Sequence, residues 1–138
     1  HSSGAIVAVG YTGTILTSDS NISSWTSRTS GTSENLSGVT GGLNRFVAVG
    51  GSGTILTSTY TDETRNTYLG TWTSRDSTTS SKLNAVTYGG SVATGDHTFV
   101  AVGDSGVILT SSNGYNWTSM TSGTTKKLHD VTSISSAD

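Results

Sequence analysis

The chain has 138 residues, with 9 Asp and Glu against 7 Lys and Arg and a formal charge of −2. So few and so scattered cations exclude the basic footprint that nucleic-acid binding requires, and the absence of cysteine excludes a disulfide framework and thiolate chemistry. Ser and Thr supply more than a third of the residues and no apolar run approaches the ~18 residues of a membrane-inserted helix, a balance that suits a Thr-rich β surface in an extracellular or cell-surface setting.

In chain order, residues 1–4 (His-Ser-Ser-Gly) are expected to be the remnant of a tag linker, with residues 5–138 forming a single repeat domain. From Val7 a twelve-residue phrase begins, VAVGYTGTILTS, which returns from Val47 as VAVGGSGTILTS and from Val100 as VAVGDSGVILTS. The phrase predicts a hairpin: a Val-Ala-Val strand, a tight turn, and an Ile-Leu-Thr-Ser strand. Gly10, Gly50 and Gly103, with Gly13, Gly53 and Gly106 three positions on, bracket a turn that demands positive φ. No helix-forming segment follows, so the Gly-x-x-Gly spacing does not read as a phosphate cradle.

A third strand is predicted at Trp25–Arg28, Trp72–Arg75 and Trp117–Met120, and a fourth at Leu36–Thr40, Leu83–Thr87 and Leu128–Thr132. Two polar insertions, Thr61–Gly70 and Ser91–Thr98, read as enlarged surface loops. The units are thus 5–35, 36–82 and 83–127, with a closing strand at 128–134. Four short strands in about 45 residues is the signature of a β-propeller blade.

The wording of the third copy, Phe99 through Trp117, resembles the blades of Asp-box propellers, in particular the sialidase-like and photosystem II assembly-factor-like repeats. In that family the innermost strand is the Leu-x-x-Val segment, followed by Val-Ala-Val-Gly, Ile-Leu-Thr-Ser and the Trp strand. Of the box motif Ser-x-Asp-x-Gly-x-x-Trp, Gly114 and Trp117 match, Ser112 stands at the Asp position with Asn113 beside it, and Ile22 stands at the Gly position of the first unit. The expectation is an all-β chain, a β-propeller built from three four-stranded blades. It starts on the second strand of a blade and ends on the first. Three blades are fewer than the four to eight that close comfortably, so two copies are expected to exchange terminal strands into a six-bladed ring, or to build a filament if the exchange does not close. A β-trefoil monomer is the alternative, since three repeats of four strands describe it as well.

The resemblance implies a sialidase-like enzyme as one function, with arginines on a substrate carboxylate and a tyrosine nucleophile. Only Arg28, Arg45, Arg65 and Arg75 are present, and Arg28 and Arg75 occupy one repeat position, so their stems are expected along the sheet with their heads in water. The favoured reading is a non-catalytic structural or protein-interaction module whose partner is itself, without cofactor or metal. A multivalent glycan-binding propeller is the alternative, with Tyr11, Tyr115 and Trp117 as candidate binding residues. The three tryptophans, at equivalent strand positions, are expected in the core rather than as sugar platforms. His129 beside Asp130 reads as a solvated pair, and Asp104 as a turn former rather than a cation ligand. Asn21, Asn35 and Asn116 head sequons in predicted turns or connections and are possible glycosylation sites.

Overall fold

The computed structural model describes residues 5–18, 22–61, 68–69, 71–91 and 94–134. The expected tag remnant and Asn21 lie outside the described residues. Strands β1 (Ile6–Val9), β2 (Ile15–Ser18) and β3 (Thr26–Arg28) form a first sheet in that order. The second contains β4 (Leu36–Gly42), β5 (Arg45–Gly50), β6 (Ile55–Thr61) and β8 (Thr73–Arg75), with β7 (Tyr68–Leu69) also paired to β6. The third runs β9 (Leu83–Ser91), β10 (Asp96–Gly103), β11 (Ile108–Ser111) and β12 (Thr118–Met120). The chain is all-β: three open antiparallel meanders that do not close into a ring among the described residues.

The repeated phrase forms the same hairpin three times, with Val9 opposite Ile15, Val49 opposite Ile55 and Val102 opposite Ile108. Each hairpin turns through a residue pair in the left-handed region: Thr12 and Gly13 (φ 52 and 70), Ser52 and Gly53 (φ 53 and 70), Ser105 and Gly106 (φ 60 and 73). The expected positive φ is therefore carried by the second glycine and the polar residue before it. The first glycine is extended, with φ of −161, −171 and −161 at Gly10, Gly50 and Gly103, and its reason is space. A Cβ on Gly50 would lie 2.1 Å from the Asn35 carbonyl oxygen, and one on Gly103 would lie 2.1 Å from that of Lys82. The backbone entering β4 passes directly over Gly50, and that entering β9 passes directly over Gly103.

Alternation along the phrase gives each sheet two apolar faces. Val47, Val49 and Ile55 pack with Phe99, Ala101, Leu109 and Trp117 of the third sheet. Ala48, Leu56 and Trp72 pack with Ile15 of the first. Each sheet thus turns its Ala, Leu and Trp back onto the preceding sheet and its Val and Ile toward the following one. The innermost strands run close together: β4 lies against β9, where a Cβ on Gly38 would sit 3.1 Å from the Ala85 Cα.

Two features follow the expected offset of the chain, and two expectations need correction. The first sheet has three strands, as a chain that starts on the second strand of a unit requires, and no segment of this chain pairs with the free edge of β1 among the described residues. The predicted closing strand, 128–134, is not a strand in the chain's own sheets, since no described strand lies beside it to complete a ladder. The described ends of the insertions Thr61–Gly70 and Ser91–Thr98 lengthen hairpins, with residues 62–67, 70, 92 and 93 outside the described residues: Tyr60 pairs with Leu69, and Asp96, His97 and Thr98 pair with Ser91, Gly90 and Gly89. Pairing satisfies backbone groups that a loop would leave to water. Finally, no strand of one sheet pairs with a strand of another among the described residues, so the single closed domain of a β-trefoil is not formed.

Candidate functional site: two unpartnered ends

Segment 128–134 follows β9 as β9 follows β4. The Leu128 amide donates to the Gly103 carbonyl at 3.0 Å, matching the bond from the Leu36 amide to the Gly10 carbonyl at 3.0 Å. The Asn84 side-chain amide donates to the Leu128 carbonyl at 2.8 Å and to Asp104 Oδ1 at 2.9 Å. Farther along, the Ser133 hydroxyl donates to the Tyr88 carbonyl at 2.9 Å and packs over Gly89. Lys127 Nζ lies 3.6 Å from Asp104. The Asn84 bond, aided by Lys127 and Lys82 and opposed by desolvation, holds the Asp104 carboxyl below the ordinary carboxylate range. The segment therefore sits against the third sheet as β4 sits against the first, with no ladder partner among the described residues.

The other end of the molecule has the complementary vacancy. In the second and third sheets the Val-Ala-Val strand lies between two neighbours, β5 between β4 and β6 and β10 between β9 and β11. Its counterpart β1 pairs only with β2. The atom nearest to a Cβ added at Gly10 is the Thr14 Cβ at 3.8 Å, so the space that Asn35 fills over Gly50 is open here.

Side-chain burial follows the same division. Trp72 and Trp117 are 9% and 6% exposed because a preceding sheet covers them, whereas Trp25, which has none, is 45% exposed. The core expectation thus holds for two tryptophans of three. Ala8 and Leu16 are half-buried where Ala48, Leu56, Ala101 and Leu109 are buried. On the third sheet Val100 and Ile108 are half-buried where Val47 and Ile55 are fully buried. Beside them an open groove of about 640 Å³ is lined by Gly106, Val107, Met120, Ser122 and Lys126 among others. One end presents Ala, Leu and Trp, the other Val and Ile, and these are the two halves of each internal sheet-to-sheet contact.

The candidate aromatic residues differ in setting. Tyr11 stands at the tip of the first turn and is 78% exposed. Trp117 is in the core, its indole nitrogen donating to the Gly114 carbonyl at 3.0 Å. Tyr115 lies in the turn between β11 and β12, with the guanidinium carbons of Arg45 and Arg75 each 4.2 Å from its ring centroid. In that turn Asn113 Oδ1 accepts from the Tyr115 and Asn116 amides, and the Ser111 hydroxyl accepts from the Gly114 amide. The turn-closing side chain is therefore Asn113, not Ser112. Ile22, at the glycine position of the first unit, is left-handed (φ 52), as Gly114 is (φ 77).

Asn35 and Asn116 are exposed, and Asn35 Oδ1 accepts from the Thr12 amide at 3.0 Å. His129 and Asp130 are exposed, with Asp130 accepting from the Val131 amide at 2.9 Å. Sequence reasoning missed Gly10 as a functional residue. The signal was present in its alignment with Gly50 and Gly103, but only the structure distinguishes a glycine kept for φ from one kept for space. Comparison with family models, with curated proteins and with solved structures finds no match for this chain.

Proposed function

We propose that this chain is a non-catalytic structural module that assembles with copies of itself, its terminal segment completing the first sheet of the next copy as the missing innermost strand. The observation that carries the reading is Gly10: the space above it is left open by its own chain, in a position where the two equivalent glycines are each crossed by an incoming backbone. A free edge of β1 and an unpaired segment 128–134 supply matching donors and acceptors, and adding a strand to an exposed edge is a common mode of recognition.

Copying the register of β4 on β5 and β9 on β10 pairs Leu128 with Gly10, Asp130 with Val9, Val131 with Ala8 and Thr132 with Val7 of the second copy. The same docking covers Trp25 and Leu16 of one copy with Val100 and Ile108 of the other. Such a contact is heterologous. It closes if two copies make a six-bladed propeller, of the kind the Asp-box-like wording suggests, and otherwise continues as a filament. The Ser/Thr-rich, weakly charged surface fits an extracellular scaffold. Binding of glycans by Tyr11, Tyr115 and Trp117 as one surface is disfavoured by the burial of Trp117 in the core and by the two guanidinium groups over the Tyr115 ring.

The test is native mass by light scattering on a sizing column. The wild-type chain is expected at twice its 14.1 kDa, or as a longer series for a filament. Gly10→Ala is expected to leave the fold of the chain intact, since nothing in it opposes the added methyl, and to shift the mass to the monomer. Gly50→Ala places the same methyl against the Asn35 carbonyl and is expected to destabilise the chain itself. A wild-type chain that stays monomeric up to about 1 mM, or an assembly that Gly10→Ala leaves untouched, overturns the reading.

A further inference from the structure

The geometry points to a small-oxyanion site at the junction of the second and third sheets, in which Arg45, Arg75 and Tyr115 take a sulfate or phosphate group, free or carried as an ester. Arg45 opens β5, Arg75 ends β8, and Tyr115 projects from the turn that Asn113 closes. With each guanidinium carbon 4.2 Å from the ring centroid, the two cations are at most about 8 Å apart. Like charges at that separation repel, and the attraction of each for the ring offsets this only in part. Neither meets a carboxylate among the described residues, where the ion pair seen is that of Lys127 with Asp104.

The two forks are nevertheless fixed. Arg45 donates Nε to the Leu43 carbonyl and Nη1 to the Asn113 carbonyl, and Arg75 donates Nε to the Thr57 hydroxyl at 2.8 Å. These bonds leave further N–H groups on both side chains while removing most of the freedom that binding would otherwise have to freeze. The Tyr115 hydroxyl adds a donor at the ring edge. A tetrahedral sulfate or phosphate group offers three or more acceptor oxygens, enough to accept from both forks at once, where a carboxylate offers two. All three side chains are half-buried, which keeps the site open to solvent while limiting screening.

Arg28 is an internal control. It donates Nε to the Thr17 hydroxyl at 2.9 Å as Arg75 does to Thr57, yet it is exposed and has no tyrosine and second arginine beside it among the described residues. The experiment follows the arginine Nε–H resonances of the ¹⁵N-labelled chain during titration with sodium sulfate and, separately, a sulfated disaccharide, at ionic strength held constant with sodium chloride. The expected result is saturable movement of the Arg45 and Arg75 signals with one shared dissociation constant, and none at Arg28. Arg75→Gln is expected to weaken binding at least tenfold. Tighter binding of the disaccharide assigns the group to an ester, and equal binding assigns it to the free ion. Parallel movement of all three arginines, or no saturation with either probe, overturns the proposal. The wild-type titration decides the matter even if Arg75→Gln disturbs the fold.

Discussion

At the scale of single residues, the repeats act as controls for one another. The connection after the third strand carries a left-handed residue in every unit: Gly31 (φ 76), Thr78 (φ 63) and Gly123 (φ 79). A β-branched residue is strained in that region, and Gly31 and Gly123 show open space around the position. Thr78→Gly is therefore expected to stabilise the chain by about 1 kcal/mol, net of the entropy that glycine adds to the unfolded state. That corresponds to roughly 3 to 5 °C in a thermal melt, and Gly31→Thr is expected to move the midpoint down by a similar amount. The tryptophans differ in the same informative way. Trp117 has a partner for its indole N–H in Gly114, whereas the buried N–H of Trp72 has none among the described residues. In urea titrations Trp117→Phe is expected to cost about 1 kcal/mol more than Trp72→Phe, the value of one buried hydrogen bond. Equal costs would show that ring packing alone sets both.

At the scale of elements, the terminal segment is held by few bonds, and one of its anchors titrates. The Asp104 carboxyl, lowered by the Asn84 bond first and by Lys127 and Lys82 after it, binds a proton less readily in the folded chain than in the unfolded one. Its contribution to stability is therefore present above the unfolded value, about pH 4, and is lost as the pH falls through the lower folded value. Comparing urea midpoints of the wild type and Asp104→Asn from pH 2 to 7 is expected to show a gap at neutral pH that closes below about pH 4. Because Asn84 also holds the Leu128 carbonyl, hydrogen exchange at Leu128 is expected to quicken over the same interval. An acid-independent gap would remove Asp104 from the anchoring of the segment. The hairpin extensions belong to this scale too. Their polar composition reads as loop, but β9 and β10 continue together through Gly89 and Gly90, because two antiparallel strands already in register extend more readily than they end.

At the scale of the whole molecule, two incomplete faces decide behaviour. Trp25 is the reporter: it is exposed in the single chain and lies on the face that a second copy would cover. Its emission is expected to shift to shorter wavelength as concentration rises, in step with the mass from light scattering, and Trp25→Phe is expected to abolish the shift while leaving Trp72 and Trp117 emitting from the core. A shift without a change in mass would assign the burial to a rearrangement within the chain. If a ring forms, its mass stops rising at two chains, whereas a filament keeps growing with concentration.

The three hairpins and their Gly-containing turns were legible because each is a local matter: alternating apolar residues choose the strand, and a left-handed turn chooses glycine. The order of the Leu-x-x-Val strand before the Val-Ala-Val strand was legible too, and is seen in β4 before β5 and β9 before β10. Sequence could not separate the tryptophans, since Trp25, Trp72 and Trp117 share one local setting and differ only in whether a sheet precedes them. Nor could it bring Arg45 and Arg75, thirty positions apart, to the ring of Tyr115. Such outcomes depend on which surfaces meet once strands have stacked, and stacking follows from the complete set of apolar faces rather than from any one phrase.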